Sequence, residues 1–245
     1  MPLKNKLIIA SILGVLLLFL IIDIEKKEPE PKQFQVSGIE ARSVLVYELR
    51  EGRILFAKNE NERLPLASLT KLMSATVALE ADPELLDELG MALLRSSNQG
   101  ISSSTEKVAP TEEFVRLMNR KVRNLGLASM SFSNETGLDL DLYEAGGYGS
   151  AKDVNNLFIY MLREHRDLLR VTSKVEKNTN LIASEIPGLL GSKTGLTDLA
   201  GGNLVFAFDL ELGRPIVITI LGSTEDGRFQ DARKLISATL EYINQ

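Results

Sequence analysis

The clearest chemical pair in this sequence is Ser68 and Lys71, which stand three positions apart in LPLASLTKLMSATVALE (residues 64–80). Apolar residues recur at helical spacing through this stretch, and serine is a favoured residue where a helix begins. On a helix, residues three apart lie on the same face. An amine held beside a hydroxyl can accept its proton, so the pair could form a serine nucleophile without a histidine. The alternative is that Ser68 caps the helix and Lys71 is solvated.

Two further short motifs contain groups of the same kind. One is Ser-Ser-Asn at residues 96–98, which follows a leucine-rich helical stretch, and the other is Lys-Thr-Gly at residues 193–195, which precedes a strand-like region. Each motif alone is a weak signal, because it could be a plain helix end or a turn. In this order, after a Ser-x-x-Lys pair, the motifs are typical of serine acyl-transfer enzymes.

The composition excludes several other kinds of site. The chain has 245 residues, 44% hydrophobic and 25% charged, which indicates a globular protein with an added apolar segment. It contains no cysteine, which excludes thiolate nucleophiles, disulfides and cysteine-ligated zinc. Its single histidine, His165, argues against a histidine-based triad or a multi-histidine metal site, so we predict no metal and no cofactor. The net charge of -5 argues against nucleic-acid binding.

The amino-terminal region indicates a membrane anchor followed by a spacer. A short basic tail (residues 1–6) precedes an apolar segment (residues 7–24) of nearly the length needed to cross a roughly 30 Å hydrocarbon core. No small-x-small cleavage site follows, so we favour an uncleaved transmembrane signal anchor over a secretory signal peptide. A charged, proline-containing spacer (residues 25–35) leads to the catalytic region, residues 36–245. Lysines flank the apolar segment on both sides, so charge alone leaves its orientation open.

Strand-like runs lie at both ends of the region after the spacer, with helical runs between them. Residues 43–49 and 54–57 form one predicted hairpin, and residues 203–210 and 215–221 form another. This order predicts an α+β fold, in which an antiparallel sheet is built from amino- and carboxy-terminal strands and is packed by helices.

Apolar periodicity between the hairpins predicts helices that start near residues 68, 83, 111 and 150. Gly126 is expected to end the third of these. The polar run at residues 102–105 is predicted to be a loop.

With these motifs in place, the chain resembles the D-alanyl-D-alanine carboxypeptidases of the low-molecular-weight penicillin-binding protein family. The family's middle region is similar to residues 114–139, FVRLMNRKVRNLGLASMSFSNETGLD. Its carboxy-terminal portion is similar to residues 188–204, GLLGSKTGLTDLAGGNL, and residues 222–235, GSTEDGRFQDARKL. The likeness extends over nearly all of residues 36–245 and implies the penicillin-binding protein and β-lactamase-like fold.

The resemblance implies a serine-type D-alanyl-D-alanine carboxypeptidase that acts on peptidoglycan stem peptides. Ser68 would attack the carbonyl between the two D-alanines and form an acyl-enzyme that water hydrolyses. Lys71 would accept the serine proton, provided that burial and the positive charge of Lys193 keep its pKa low. Ser96 would relay a proton to the leaving amine, and Asn98 would hold the substrate amide or the lysine.

The same resemblance assigns groups that would bind the substrate. The backbone N–H groups of Ser68 and Leu196 would form the oxyanion hole. Thr194, with Arg228 as a partner, would bind the terminal carboxylate, and the peptide would lie along the edge that contains Gly195, much as an added strand does. β-Lactams would be covalent inhibitors. We expect a single-pass protein of the cell membrane with its catalytic domain on the extracytoplasmic side.

One departure from the family's pattern leaves alternatives open. The connection between Lys71 and Ser96, residues 72–95, is shorter than is usual in the family, which places a small subdomain there. The site could be more open as a result, or Ser96 could be displaced, and a displacement of about 1 Å can cost about a hundredfold in rate. The second hypothesis is therefore a catalytically weak or silent peptidoglycan- and penicillin-binding protein on the same fold. A D,D-endopeptidase or a β-lactamase is less favoured, the latter because the loop acid Glu144 is not a convincing deacylating base.

Overall fold

The part of the chain that contains the three motifs is described by a computed structural model, which covers residues 33–209 and 213–244. The predicted tail (residues 1–6), the predicted anchor (residues 7–24) and most of the predicted spacer lie outside the described residues. Within the described ranges, no helix is both long enough and apolar enough to cross a membrane. Phe34–Asn244 form one compact unit.

Five strands form the main antiparallel sheet, and both ends of the described chain contribute to it. β1 (Ser43–Glu48) pairs directly with β8 (Pro215–Ser223), with Val46 opposite Ile218, so the amino-terminal hairpin is joined to the carboxy-terminal strands. The predicted α+β fold, with a sheet built from both ends and packed by helices, is therefore confirmed. In spatial order the strands are β2 (Arg53–Lys58), β1 (Ser43–Glu48), β8 (Pro215–Ser223), β7 (Gly201–Asp209) and β6 (Leu189–Thr197).

A small second sheet and a set of helices complete the described fold. The small sheet has the order β3 (Leu64–Pro65), β5 (Gly147–Gly149) and β4 (Ser131–Phe132). The α-helices are α1 (Thr70–Ala81), α2 (Leu86–Leu94), α3 (Asn98–Glu106), α4 (Thr111–Leu125), α5 (Ala151–Glu164), α6 (Arg166–Val171) and α7 (Gly227–Asn244).

Both faces of the main sheet are covered by helices. Successive strand residues point to opposite faces, so in β7 Phe206 and Phe208 pack in the layer that contains α7. Val205 and Ala207 pack in the layer that contains α1. α1 is buried around nearly its whole circumference, as is expected of a helix in the centre of a domain. The turn that contains Ser68 is therefore attached to the most deeply buried helix.

The predicted helix starts are present, and side-chain caps explain two of them. Asp82 accepts a hydrogen bond from the backbone N–H of Glu84 at 3.0 Å and starts the turn that leads into α2. Ser150 accepts one from the N–H of Asp153 at 3.2 Å and starts α5. Gly126 ends α4 with a φ of 69°, a left-handed conformation that glycine adopts without steric cost.

The prediction of a loop at residues 102–105 is wrong, because these residues lie within α3. Ser97 caps this helix, and its Oγ accepts a hydrogen bond from the N–H of Gly100 at 3.0 Å. The Ser104 hydroxyl lies 2.9 Å from the Gly100 carbonyl and 2.8 Å from the Glu88 carboxylate. Buried serines can therefore belong to a helix when acceptors lie within reach of their hydroxyls, and polarity alone did not reveal those acceptors.

A buried carboxylate joins the amino-terminal hairpin to the strand beside it. The side chain of Glu48, at the end of β1, is fully buried and accepts hydrogen bonds from Arg53 Nε at 2.6 Å and Arg214 Nε at 2.5 Å. Burial raises the pKa of Glu48, but the hydrogen bonds from Arg214 and Arg53 outweigh it, so the pKa lies below its ordinary value.

We expect Glu48→Gln to lower the free energy of unfolding by about 2–3 kcal/mol at pH 7, because it removes the charge between two arginines. Since the folded-state pKa is depressed below 4.5, the wild-type advantage is present above that pH and is lost as the pH falls through the folded-state value. Urea unfolding at several pH values measures the difference. Glu51→Gln is the matched control: Glu51 also pairs with Arg53 but is half exposed, so its loss should stay within about 0.5 kcal/mol. Equal losses in the two variants would contradict this account.

Candidate active site

Ser68 lies in a tight turn immediately before α1. The turn is a 3₁₀ helix (Ala67–Leu69), and Ala67 has a φ of 48°, which is strained for a residue with a Cβ. The Ser68 hydroxyl accepts a hydrogen bond from Lys71 Nζ at 2.6 Å. Lys71 is fully buried, so the alternative of a solvated lysine beside a capping serine does not describe this pair.

Two glycines allow neighbouring segments to approach the serine turn. A Cβ on Gly195, in β6, would lie 2.9 Å from the Leu66 carbonyl oxygen and 3.3 Å from the Ser68 nitrogen. A Cβ on Gly137 would lie only 1.9 Å from the Ala67 carbonyl oxygen. Backbones can come this close only where the side chain is absent. The two glycines therefore let β6 and the segment after β4 hold the strained turn in place.

Lys71 is placed to accept a proton near neutral pH. Its Nζ donates to Ser68 Oγ and, at 2.7 Å, to the carbonyl oxygen of Thr136. Burial lowers the pKa of Lys71 to about 7, and the Glu135 carboxylate acts in the opposite direction. A large fraction of this amine is therefore neutral at physiological pH, as a general base requires.

Ser96 and Lys193, which are 97 positions apart in the chain, form a second hydroxyl–ammonium pair. Lys193 is 1% exposed in β6, and its Nζ donates to Ser96 Oγ at 2.7 Å and to the Thr194 carbonyl at 2.6 Å. Burial lowers the pKa of Lys193 well below its ordinary value, and the charges of Lys71 and Arg228 lower it further. Lys193 and Gly195 lie in the same strand, and Gly195 packs against the turn that contains Ser68, so the two pairs are neighbours. The short connection through residues 72–95 thus brings Ser96 to Lys193.

The backbone at Ser96 explains how α2 presents this hydroxyl. The N–H of Ser96 donates to the Leu93 carbonyl and the N–H of Ser97 donates to the Ala92 carbonyl, which is the Schellman pattern that ends many helices. The residue at this position has a left-handed backbone and is usually glycine; Ser96 has a φ of 51°. Gly126 occupies the equivalent position at the end of α4. At the end of α2, a serine therefore stands where the local backbone favours glycine.

The remaining predicted residues of β6 and α7 lie beside these pairs. Arg228 is buried and donates from Nη1 to the Gly195 carbonyl at 2.7 Å, and among the described residues its Nε has no partner. The Thr194 hydroxyl donates to Thr179 Oγ at 2.6 Å. Leu196 is 42% exposed on β6, the last strand at that side of the main sheet. The edge of the sheet at β6 thus presents a guanidinium and a hydroxyl beside an exposed strand.

Asn98 does not contact Lys71 in this structure. It is exposed at the start of α3, and the Lys71 ammonium donates instead to Ser68 Oγ and the Thr136 carbonyl. No sequence pattern indicated Thr136, because a carbonyl acceptor leaves no side-chain signature. Glu135 and Thr179 were not predicted either, although Glu135 lies in the SNETGLD segment that carried part of the resemblance. No group of three or more histidine, aspartate or glutamate side chains in the described ranges is placed to hold a metal ion.

We expect Ser96→Gly to be more stable than Ser96→Ala by about 1 kcal/mol, because only glycine adopts the left-handed backbone without steric cost. Both variants lose the hydroxyl, so their difference in free energy of unfolding isolates the backbone strain. Ser103, exposed within α3, provides the control: there the order should reverse, with alanine more stable than glycine by about 1 kcal/mol. If alanine is as stable as glycine at position 96, the backbone there is not strained.

Comparison with known proteins relates this arrangement to a family. The family model described as D-alanyl-D-alanine carboxypeptidase (peptidase S11) matches residues 27–89 and 84–224. The two matched stretches overlap at residues 84–89, which lie inside the short connection between Lys71 and Ser96. The D-alanyl-D-alanine carboxypeptidase DacF of Bacillus subtilis (strain 168) is 26% identical over 277 residues, covering 95% of this chain and 70% of the relative. That span exceeds the 245 residues of this chain, so the relative contains positions that have no counterpart here.

Another relative and a solved structure extend the comparison. A D-alanyl-D-alanine endopeptidase of Haemophilus influenzae is 27% identical over 208 residues, covering 68% of this chain and 70% of the relative. The chain spans 61% to 76% of the length of the curated relatives that it matches. Penicillin-binding protein D2 of Listeria monocytogenes in its ampicillin-bound form superposes with a TM-score of 0.75 at 25% identity, covering 84% of this chain and 99% of that one.

The family model therefore extends over most of the chain, through the serine turn, the end of α2 and β6. This chain belongs to the D-alanyl-D-alanine carboxypeptidase family.

Proposed function

We propose that the protein is a serine-type D-alanyl-D-alanine carboxypeptidase, which removes the terminal D-alanine from peptidoglycan stem peptides through an acyl-enzyme on Ser68. The observation that carries this proposal is the contact between Ser68 Oγ and the fully buried Lys71 Nζ at 2.6 Å. A neutral amine at that distance can take the hydroxyl proton as the oxygen attacks a carbonyl carbon. Membership of the family supports the same reaction.

In the acylation step, Ser68 Oγ attacks the carbonyl between the two D-alanines, and its proton passes to Lys71. The oxyanion forms where the backbone N–H groups of Ser68 and Leu196 would donate to it. The close packing of Gly195 on the Ser68 nitrogen supports this assignment, because it holds β6, which contains Leu196, against the turn that contains Ser68. The N–H of Ser68 precedes α1, whose amino-terminal end also favours negative charge.

Breakdown of the tetrahedral intermediate breaks the C–N bond and releases D-alanine. The leaving amine takes up a proton, which Lys71 gained in the first step and which Ser96 would relay. The hydrogen bond from Lys193 to Ser96 supports this role, since it orients the hydroxyl without removing its proton. Water then attacks the acyl-enzyme and restores Ser68. Asn98, exposed at the start of α3, would contact the substrate amide rather than Lys71.

The groups beside the strand edge favour a carboxypeptidase over an endopeptidase. A carboxypeptidase must bind the free carboxylate that follows the scissile bond, whereas an endopeptidase cleaves within a longer peptide. Arg228, in α7, carries a buried guanidinium whose Nε has no partner among the described residues. Thr194 carries a hydroxyl in β6, the strand whose Gly195 carbonyl accepts from Arg228. A charge-assisted hydrogen bond from arginine to a carboxylate is among the stronger contacts in proteins.

The contact between Ser96 and Lys193 also supports an active enzyme over a catalytically silent binding protein. The short connection motivated that alternative, since it could have displaced Ser96. A β-lactamase has less support, because Glu144 is exposed in its loop. β-Lactams are expected to acylate Ser68, in line with the ampicillin-bound form of the Listeria protein.

We expect the full chain to gain the mass of one ampicillin on Ser68 and to release D-alanine from a stem pentapeptide. Ser68→Ala should abolish both, and Ser103→Ala, at an exposed position of α3, should leave both unchanged. Intact-mass spectrometry with peptide mapping and an assay for free D-alanine measure the two outcomes. An adduct without D-alanine release would favour the silent binding protein. Release only from cross-linked peptides would favour the endopeptidase, and rapid turnover of ampicillin would favour a β-lactamase.

We further propose that residues 7–24 anchor the protein in the cell membrane, with the catalytic domain on the extracytoplasmic side. The supports are the uncharged run from residue 7 to residue 22, the basic residues before it and the charged spacer after it. The substrate lies in the cell wall, which requires the catalytic domain to be outside the membrane.

We expect the full chain to remain with membranes after an alkaline carbonate wash. A variant with Leu16→Lys and Leu17→Lys should be released, because each lysine costs about 2.5–3.5 kcal/mol at the centre of a membrane helix. The matched control, Leu16→Ile with Leu17→Ile, should stay bound. A mature protein whose mass lacks the amino-terminal segment would show that the segment is a cleaved signal peptide.

A further inference from the structure

Glu135 lies against the catalytic helix, although the reaction described above assigns it no role. It belongs to the segment between β4 and β5 and is 8% exposed. Its backbone carbonyl accepts a hydrogen bond from Ser74 Oγ at 2.6 Å, and Ser74 stands one turn after Lys71 in α1. The next carbonyl, that of Thr136, accepts from Lys71 Nζ at 2.7 Å. Two consecutive carbonyls therefore attach this segment to the helix of the general base.

The Glu135 carboxylate is held from the opposite side by α3. Its Oε1 accepts a hydrogen bond from Ser102 Oγ at 2.5 Å. Ser102 lies one turn after Asn98, on the helix that follows the Ser-Ser-Asn motif. The segment thus bridges α1 and α3, and its carboxylate is fixed rather than free to turn to solvent.

The charged groups around the site leave Glu135 as the carboxylate that acts on Lys71. The nearby ammonium of Lys193 has the same sign as Lys71. Glu225 and Asp226 act on Arg228, in its own part of the chain. Two other carboxylates have partners elsewhere: Glu88, in α2, pairs with Lys107 just after α3, and Glu80, near the far end of α1, pairs with Lys121 in α4.

Two buried amines in one site each disfavour the protonated form of the other, and burial disfavours the protonated form of both. A nearby carboxylate favours the protonated form of the amine that it faces. For Lys71, the carboxylate therefore counteracts burial and prevents the pKa from falling below the value of about 7.

We propose that Glu135 is a positioning residue: its carboxylate, fixed by Ser102, is the counter-charge that decides how readily Lys71 gives up its proton and so at what pH Ser68 is activated. The inference rests on the proposed function, because it assigns Lys71 as the base for Ser68. Glu135 itself touches neither Ser68 nor the substrate in this reaction.

The test is the pH dependence of Ser68 acylation by a fluorescent penicillin, measured as a second-order rate constant on the full chain. For the wild type we expect an acid limb centred near pH 7, set by Lys71. Glu135→Gln keeps the shape and a hydrogen-bond acceptor for Ser102 but removes the charge, so the limb should move to lower pH. If the limb moves by about one pH unit, acylation one unit below the wild-type midpoint rises about fivefold, with no change on the alkaline plateau.

Three further variants separate charge from structure. Glu135→Asp keeps the charge, so its acid limb should lie closer to the wild-type pH than that of Glu135→Gln. Glu144→Gln, the same change on an exposed loop acid, should leave the profile unchanged. Ser102→Ala frees the carboxylate without neutralising it, so the limb should move in the same direction as in Glu135→Gln but by less. This last variant also tests the proposal if Glu135→Gln does not fold, as judged by thermal unfolding.

Suppose that the wild type is acylated normally and that the acid limb stays at the wild-type pH in both Glu135→Gln and Ser102→Ala. This result would overturn the role of Glu135 and leave the proposed function intact. A lower plateau with an unmoved limb would mean that Glu135 is only structural. A wild type that is not acylated at any pH would overturn the proposed function itself, and the role of Glu135 with it.

Discussion

The burial of two ammonium groups in one site, those of Lys71 and Lys193, is the constraint on which the rest of the structure depends. Removing an ammonium from water is costly unless its donors are satisfied. The structure meets this cost in the same way twice. Lys71 donates to a serine hydroxyl and to the carbonyl of Thr136, and Lys193 donates to a serine hydroxyl and to the carbonyl of Thr194. Each amine is thus held beside a hydroxyl while its pKa is lowered by burial.

Two of the four non-glycine residues with a left-handed backbone in the described ranges lie at the positions that present those hydroxyls. Ala67, just before Ser68, and Ser96 itself both have left-handed backbones, although neither is glycine. Such conformations persist when the surroundings impose them. Gly195 and Gly137 impose the first by allowing neighbouring backbones to close around the turn. The Schellman hydrogen bonds at the end of α2 impose the second. At both positions, hydrogen bonding and packing impose a backbone conformation that the residue type alone disfavours.

Much of the fold could be predicted, because it depends on interactions between residues close in the chain. The hairpins follow from alternating strand-like runs, and the starts of α2 and α5 follow from capping by Asp82 and Ser150. The prediction failed at α3, whose polar residues resemble a loop. Those hydroxyls are satisfied partly by Glu88 and Glu135, which lie on other segments, and no local pattern indicates such partners.

The sequence by itself determined which residue types could do the chemistry and in what order they occur: a serine with a lysine one turn later, a serine after a helix, and a lysine before a strand. Their spacing along a helix and at element ends is local information. Only the tertiary structure decided which group meets which, because the pairs form between segments that are far apart in the chain. Two such long-range contacts are the hydrogen bond from Lys193 to Ser96 and the hydrogen bond from Lys71 to the Thr136 carbonyl. The placement of the Glu135 carboxylate beside the base is long-range too: its effect depends on burial and distance, which the packing of α1 against α3 sets.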